Sequence, residues 1–140
     1  MQDNMSSMHP ITAIGPVSVA DNTAQVGAII DIQGFNALTY VILTGAIADA
    51  DATFTVLLEE GDNAALSDAA AVADIDLIGT EALAGFTFAH DNKTRKLGYK
   101  GNKRYTRLTI TPAANASAAL FGAIAVLGES EMEPTVNPPA

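Results

Sequence analysis

Short runs of alternating apolar and polar residues constrain the fold of this chain more than any other feature of its sequence. In the run RYTRLTIT, Thr106, Leu108 and Ile110 share one face of an extended strand. Tyr105 and Arg107 lie on the opposite face. This period of two is typical of a strand with one buried face. The sequence therefore predicts strands as its main elements.

Further runs with β-like patterns lie between turn-forming residues. They cover residues 26–32, 38–45, 52–60, 75–79, 83–89 and 117–128. Strands do not alternate with helices, so a parallel sheet is not expected. We expect an all-β fold, an antiparallel and jelly-roll-like β-sandwich of about eight short strands.

Two details refine this expectation. The runs 38–45 and 117–128 are apolar on both faces, as central strands are. Gly122 within the second run predicts a bulge or a close backbone contact. The alanine-rich residues 61–74 predict one short helical element of one or two turns.

The two ends of the chain lack periodicity and contain prolines, which disfavour helices and inner strands. We therefore expect an extended N-terminal arm over residues 1–16 and a β-sandwich domain over 17–128. An acidic, proline-rich C-terminal tail is expected over 129–140. Docked arms and disordered ends are both open alternatives.

Composition argues against several classes of function. The 140 residues contain no cysteine, which excludes disulfides, thiolate metal sites and thiol nucleophiles. No serine lies in a Gly-x-Ser-x-Gly elbow, and no carboxylate run has the spacing of a calcium loop. The sequence predicts a protein that is not an enzyme and has no cofactor or metal.

The sequence also predicts no membrane contact. Its longest apolar stretch, residues 113–128, is interrupted by polar residues and is shorter than the roughly 18 residues that a membrane helix requires. The N-terminus lacks the basic and apolar regions of a signal peptide. We expect a soluble protein.

All positive side chains lie in residues 93–107, called the basic segment below, although the formal net charge of the chain is −9. They are Lys93, Arg95, Lys96, Lys100, Lys103, Arg104 and Arg107. Strand-like patterns at 93–97 and 104–111 predict a hairpin with GYKGN near its tip. Lys103, Tyr105 and Arg107 would then point away from the core as a basic ridge.

Three roles for this ridge are open. It can pair with acidic groups of the same chain, such as Glu59, Glu60 and Asp62. It can bind nucleic acid, with Tyr99 and Tyr105 stacking on bases, although the net charge disfavours this. It can also dock on an acidic protein surface, where opposite charges fix the orientation.

Three motifs together resemble a known family. They are DIQGF after the first run, FTVLLEEGD in the middle and GYKGNKRYTRL near the end, within residues 17–128. This pattern resembles the capsid cement, or decoration, proteins of tailed bacteriophages, including those of Bordetella podoviruses.

The resemblance implies a jelly-roll-like sandwich without catalysis that binds the outer surface of an icosahedral capsid. Such a protein bridges neighbouring subunits of the major capsid protein as a symmetric oligomer. The residues expected to dock on the capsid are Lys93, Arg95, Lys96, Lys100, Lys103, Arg104, Tyr105 and Arg107.

We expect a homodimer, with a trimer as the alternative, in which the C-terminal apolar strand extends a sheet between subunits. A nucleic-acid-binding module and another virion protein, of the tail or of head completion, are the alternative functions. Nucleic acid is not the favoured partner.

Overall fold

The computed structural model describes residues 1–139 as two layers of strands with short helical turns. The strands are β1 (His9–Val19), β2 (Gln25–Val26), β3 (Ile30–Asp31), β4 (Phe35–Ile47), β5 (Thr53–Gly61), β6 (Ala70–Ala71), β7 (Leu77–Ile78), β8 (Phe86–Thr87), β9 (Thr94–Tyr99), β10 (Tyr105–Ala113) and β11 (Ala119–Ser130). One α-helical turn, α1, spans Glu81–Ala84, and 3-10 turns span Asp74–Asp76 and Phe88–His90.

Two antiparallel sheets pack face to face. Sheet A has the strand order β1-β11-β4-β9-β7. Sheet B has the order β2-β10-β5-β6, with β3 also on β10 and β8 also on β5. This arrangement confirms the predicted all-β, antiparallel β-sandwich.

The shared core decides which face of each long strand points inward. On β4, Leu38, Tyr40 and Ile42 are buried. On β10 of sheet B, Leu108 and Ile110 are completely buried, as their alternation predicts. Full burial of each such side chain stabilises the fold by roughly 1.5–3 kcal/mol, so packing the apolar faces of the two sheets against each other is favourable.

Aromatic side chains join the two sheets at the centre of the core. The rings of Phe54 and Phe86 stack with centroids 4.7 Å apart. Phe121 of sheet A meets both edge-on, at 5.6 and 5.5 Å. Such pairs add about 0.5–1.5 kcal/mol beyond the area they bury.

One buried hydrogen bond also crosses the core. The hydroxyl groups of Tyr40 in sheet A and Thr106 in sheet B lie 2.8 Å apart. Both residues are fully buried, and burial raises the pKa of Tyr40 far above its ordinary value. Tyr40 therefore stays neutral and holds a fixed contact between the sheets.

The N-terminal arm is shorter than the sequence predicts, because residues 9–16 belong to β1. Pro10 and Pro16 are compatible with this strand since β1 lies at the edge of sheet A. Its pairing with β11 is also irregular between Ile14 and Val17.

A Cβ atom on Gly122 would lie 3.2 Å from the carbonyl oxygen of Ile14, so the predicted close backbone contact is confirmed.

The tail also differs from its expected bounds. β11 continues to Ser130, so the tail begins after the expected residue 129. Further on, the amide of Thr135 donates to the carbonyl of Ser6 and its hydroxyl donates to the carbonyl of Met8, both at 2.8 Å. These bonds attach the tail to the segment that precedes β1.

The predicted helix over residues 61–74 is wrong. The carboxylate of Asp68 accepts hydrogen bonds from the amides of Asp62 and Asn63, which competes with helix formation. The α-helical turn lies later in the chain, where the side chain of Thr80 caps α1 by accepting from the amide of Leu83. Within residues 1–139, no helix is long and apolar enough to span a membrane.

The contact between Tyr40 and Thr106 leads to a first prediction. Replacing Tyr40 by Phe leaves the Thr106 hydroxyl without its partner, so the free energy of unfolding should fall by about 1–3 kcal/mol. Urea denaturation measures this. The double variant Tyr40→Phe/Thr106→Val should lose less than the sum of the single losses. Additive losses would show that the two hydroxyl groups do not interact.

Candidate interaction surfaces

The basic segment does not form the predicted hairpin. β9 pairs with β4 and β7 in sheet A, whereas β10 pairs with β5 in sheet B. The connection between them therefore crosses from one layer to the other. Leu97 and Leu108 are both completely buried, but they reach the core from opposite sheets. The alternation of apolar and polar residues predicts that these side chains point inward. It does not predict which sheet each strand joins.

The crossing connection is held by Tyr99. The hydroxyl of Tyr99 donates to a carboxylate oxygen of Glu60 at 2.6 Å and accepts from the amide of Lys103 at 3.0 Å. Burial and this carboxylate raise the pKa of Tyr99. A Cβ atom on Gly101 would lie about 2.5 Å from the Tyr99 hydroxyl oxygen, so a larger residue there would displace the Tyr99 ring. Tyr99 is buried and is not available to stack on a base.

Three cations of the basic segment pair with carboxylates of the same chain. Lys103 Nζ lies 2.6 Å from Asp62 Oδ2. Arg104 makes two bonds to Asp31, of 2.9 and 2.8 Å. These cations therefore pair with acidic groups of the same chain, and Asp62 is one of the partners expected from the sequence.

Arg107 forms the third and most sheltered pair. Its Nε and Nη2 atoms lie 3.0 and 2.7 Å from Glu59 Oε2. The Arg107 and Glu59 side chains are 25% and 21% exposed, against 41–59% in the other two pairs. Exposed pairs contribute only about 0.2–1 kcal/mol each, so these contacts orient side chains more than they stabilise the fold.

Together these groups form a charged face on the outer side of sheet B. We define the charged face as Asp31, Glu59, Arg104, Tyr105 and Arg107. The Arg104 guanidinium carbon lies 5.0 Å from the centre of the Tyr105 ring. The hydrogen bonds from Arg104 lower the pKa of Asp31, so both groups stay charged at neutral pH.

The other four cations have no ion pair within residues 1–139. Lys93, Lys96 and Lys100 are exposed. Arg95 is half-buried, and its Nε atom is buried without a hydrogen-bond partner. The structure thus separates the eight predicted docking residues. Lys93, Arg95 and Lys96 lie beside or on β9 of sheet A, whereas Tyr105 and Arg107 lie on β10 of sheet B.

A second surface, which was not expected from the sequence, lies on the outer side of sheet A. We define this apolar face as Val41, Leu43, Leu120 and Ile124. Leu43 is 59% exposed, Leu120 43% and Ile124 41%. The only sign of this face in the sequence is that runs 38–45 and 117–128 are apolar on both faces. That pattern predicts that both faces are covered. The structure buries one face and leaves the other open.

The apolar face forms the floor of a groove of about 930 Å³. Thr12, Pro16 and Val17 of β1 form one wall, and Asn92 and Thr94 lie on the other side. None of the described residues that line the groove is charged, and its one aromatic ring belongs to Phe121, which is buried in the core. The groove is suited to an apolar partner and offers no aromatic platform for a sugar ring.

The side chain of His90 has a structural role. Its Nδ1 atom accepts a hydrogen bond of 3.0 Å from the amide of Thr87. The nearby Glu81 carboxylate accepts from the amide of Leu58 at 2.6 Å. His90 thus holds a backbone group of β8, and Glu81 holds a backbone group of β5.

Comparisons with solved structures identify the fold. The PBSX exported protein XepA matches all of this chain at 18% sequence identity and a TM-score of 0.54, and the chain spans 43% of XepA. A Clostridium thermocellum endo-1,4-beta-D-xylanase 10B with CBM22-1 and GH10 modules matches 96% of the chain at 13% identity, with a TM-score of 0.47 and 28% of its own length covered. The subunit of Bacillus endospore appendages matches 93% of the chain at 10% identity and a TM-score of 0.43, over 97% of that subunit.

At these identities, the similarity to XepA shows the fold alone. No family model and no curated protein matches the sequence.

The lowered aspartate pKa values lead to a second prediction. The pKa of Asp31 lies below its ordinary value of 3.8, and Asp49 and Asp68 share this direction because backbone amides donate to them. The unfolded chain therefore takes up protons before the folded chain does. Stability should be fully present above about pH 4 and decline as pH falls through the folded-state pKa values.

Thermal unfolding between pH 7 and pH 2.5 measures this decline. Asp31→Asn should lower the midpoint at pH 7 and flatten the decline, because this group no longer titrates. An unchanged slope in Asp31→Asn would show that its ion pair does not contribute to the pH dependence.

Proposed function

We propose that this chain is a structural protein of a phage particle that binds the outer surface of an icosahedral head and bridges neighbouring subunits of the major capsid protein. In this proposal it has no catalytic activity and no cofactor. The motifs within residues 17–128 support the proposal through their resemblance to cement proteins. The β-sandwich fold shared with a phage-related protein, the PBSX exported protein XepA, supports the coarser statement of a phage-related structural role.

One observation carries the proposal, namely that two unlike surfaces lie on opposite layers of the sandwich. The apolar face is on sheet A, and the charged face is on sheet B. A protein that bridges subunits must contact at least two neighbours at once. An uncovered apolar surface is typical of a protein that works in an assembly.

The charged face and Lys100 are proposed to meet the capsid. The ion pairs there are individually weak, so Arg104 and Arg107 can exchange their own carboxylates for carboxylates of a partner at small cost. Exposed Lys100 has no ion pair within the described chain and adds a free positive charge. Charges of this kind act mainly on the rate and orientation of docking.

Nucleic-acid binding is the weaker alternative. Three of the seven cations already meet carboxylates, which would repel phosphates. Tyr99 is buried, so of the two tyrosines in the basic segment only Tyr105 remains half-exposed. Neither observation favours a track of phosphate contacts with stacked bases.

A third prediction concerns the whole particle. Gentle removal of this protein should leave heads that break at a lower temperature, because contacts that bridge neighbouring subunits are lost. Light scattering of purified particles during heating measures the change. Re-addition of the protein should restore the original temperature. Heads with unchanged stability, or localisation of the protein to the tail alone, would contradict the proposal.

A fourth prediction concerns docking on empty heads assembled from the major capsid protein of the same phage. Replacing Lys100, Lys103 and Arg107 by Gln should slow association and weaken its dependence on salt, since these charges steer the encounter. Surface plasmon resonance at several salt concentrations measures both effects. The fold should persist, because the three residues point away from the core or lie in the crossing connection.

The matched control changes net charge by the same amount elsewhere. Ala20, Ala50 and Ala82 are exposed, and replacing all three by Glu should leave association faster than in the Gln variant. A gel shift with duplex DNA tests the alternative. Tight binding whose affinity falls with salt by a log–log slope of about −0.9 per phosphate, without head binding, would overturn docking on protein.

A further inference from the structure

We propose that the groove over the apolar face holds the C-terminal tail of a second copy of this chain. In this arrangement two copies exchange their tails across a two-fold axis. The tail is defined here as residues 131–139, which follow β11 in the part of the chain that the structure describes.

The groove has a surface that needs a cover. Leu43, Leu120 and Ile124 are each more than two-fifths exposed, and they are neighbours on β4 and β11. Contiguous apolar surface of this kind is rare on proteins that act alone. Both strands are paired with a neighbouring strand on either side, so a cover must lie on top of the sheet.

This position corrects the expected dimer. β11 is the second strand of sheet A, with β1 on one side and β4 on the other. It has no free edge and cannot extend a sheet into another subunit. Its outer face remains available, and this is where the exposed Leu120 and Ile124 lie.

The rim of the groove is positively charged. Lys96 pairs in register with Val41, which pairs with Ile124, so the three side chains form one row on the outer side of sheet A. Lys93 lies between Asn92 and Thr94, which both line the groove. Neither lysine has an ion pair within residues 1–139. The occupant should therefore combine apolar side chains with carboxylates.

The tail has this composition. Glu131 and Glu133 are exposed and form no ion pair within the described chain. Met132 is 83% exposed and Val136 is 67% exposed, so their apolar side chains are uncovered in a single copy. The prolines around them disfavour a helix in this segment.

The tail cannot readily reach the groove of its own copy. Hydrogen bonds from Thr135 to Ser6 and Met8 hold it at the end of sheet A where β1 begins and β11 ends. Ile124, at the near end of the groove, lies six residues before Ser130 on β11, about 20 Å at roughly 3.3 Å per residue. The tail would have to reverse over its own strand to cover this distance.

A two-fold arrangement solves this problem. When two sheets A face each other with their strands antiparallel, the tail end of each copy lies over the groove end of the other. The acidic tails then approach the lysines of the rim. The opposite arrangement would bring tail next to tail and rim next to rim, where like charges repel.

Cross-linking tests the contact directly. Because the chain has no cysteine, the variant Ile124→Cys/Met132→Cys introduces the only two thiols. Mild oxidation should give a covalent dimer on a non-reducing gel. A control variant, Ile124→Cys/Ile75→Cys, places the second thiol at a residue that is 78% exposed but outside the tail, and it should stay monomeric. A disulfide within one chain, or equal cross-linking of both variants, would overturn the proposal.

Charge reversal tests the rim. By sedimentation equilibrium, Lys93→Glu/Lys96→Glu should weaken the dimer at least tenfold, whereas Lys100→Glu/Lys103→Glu, with the same change of charge, should not. Adding Glu131→Lys/Glu133→Lys to the first variant should restore the dimer. All of these residues except half-buried Lys103 are exposed, and circular dichroism checks that each variant is folded. Failure of the restoring pair would overturn the pairing.

The tail can also be removed. A chain that ends at Ser130 should be monomeric at concentrations where the full chain is a dimer. A full chain that is monomeric at 100 μM would overturn the proposal, and so would a truncated chain that dimerises normally. If the rim variant loses head binding while the full chain is monomeric, the groove belongs to the capsid contact. That outcome would overturn tail exchange and leave the proposed function standing.

Discussion

Two sheets share one apolar core, and the other features of this molecule depend on that constraint. Each long strand must turn one face inward, where Tyr40, Leu58 and Leu108 are buried to 0% exposure. Since side chains alternate along a strand, the inward face also determines the outward one. The charged face and the apolar face are therefore consequences of core packing. The buried contact between Tyr40 and Thr106 adds a directional link that apolar packing alone does not supply.

The two outer faces differ because their strands differ in composition. On β5 and β10 the outward positions include Glu59 and Arg107, which meet in register as a cross-strand ion pair. In the middle of β4 and β11, at positions 41–45 and 120–126, the outward residues are Leu, Ile, Val and Gly, so that side of the sandwich has no charge at its centre. A molecule with one polar and one apolar side is suited to holding different neighbours on each side, which is the requirement for a bridging role on a particle.

The clustering of positive charge has more than one consequence. Lys103, Arg104 and Arg107 meet carboxylates of their own chain, while Lys93, Lys96 and Lys100 have no ion pair within residues 1–139. Local sequence could not separate these groups, because the carboxylates Asp31, Glu59 and Asp62 are distant in the chain. Only the pairing of β10 with β3 and β5 brings them close. The cluster is thus partly internal and partly free to contact a partner.

The sequence by itself determined the strand content and the inward face of β10, because alternation is a local property that survives any arrangement of strands. It did not determine β1, because Pro10 and Pro16 argue against a strand unless that strand lies at a sheet edge. It also suggested a hairpin for the basic segment, since neighbouring strands usually pair. Tertiary structure decided otherwise: Tyr99 and Gly101 direct the chain from sheet A to sheet B. The open apolar face was likewise decided by tertiary structure, because a two-faced apolar strand does not show which face the core will cover.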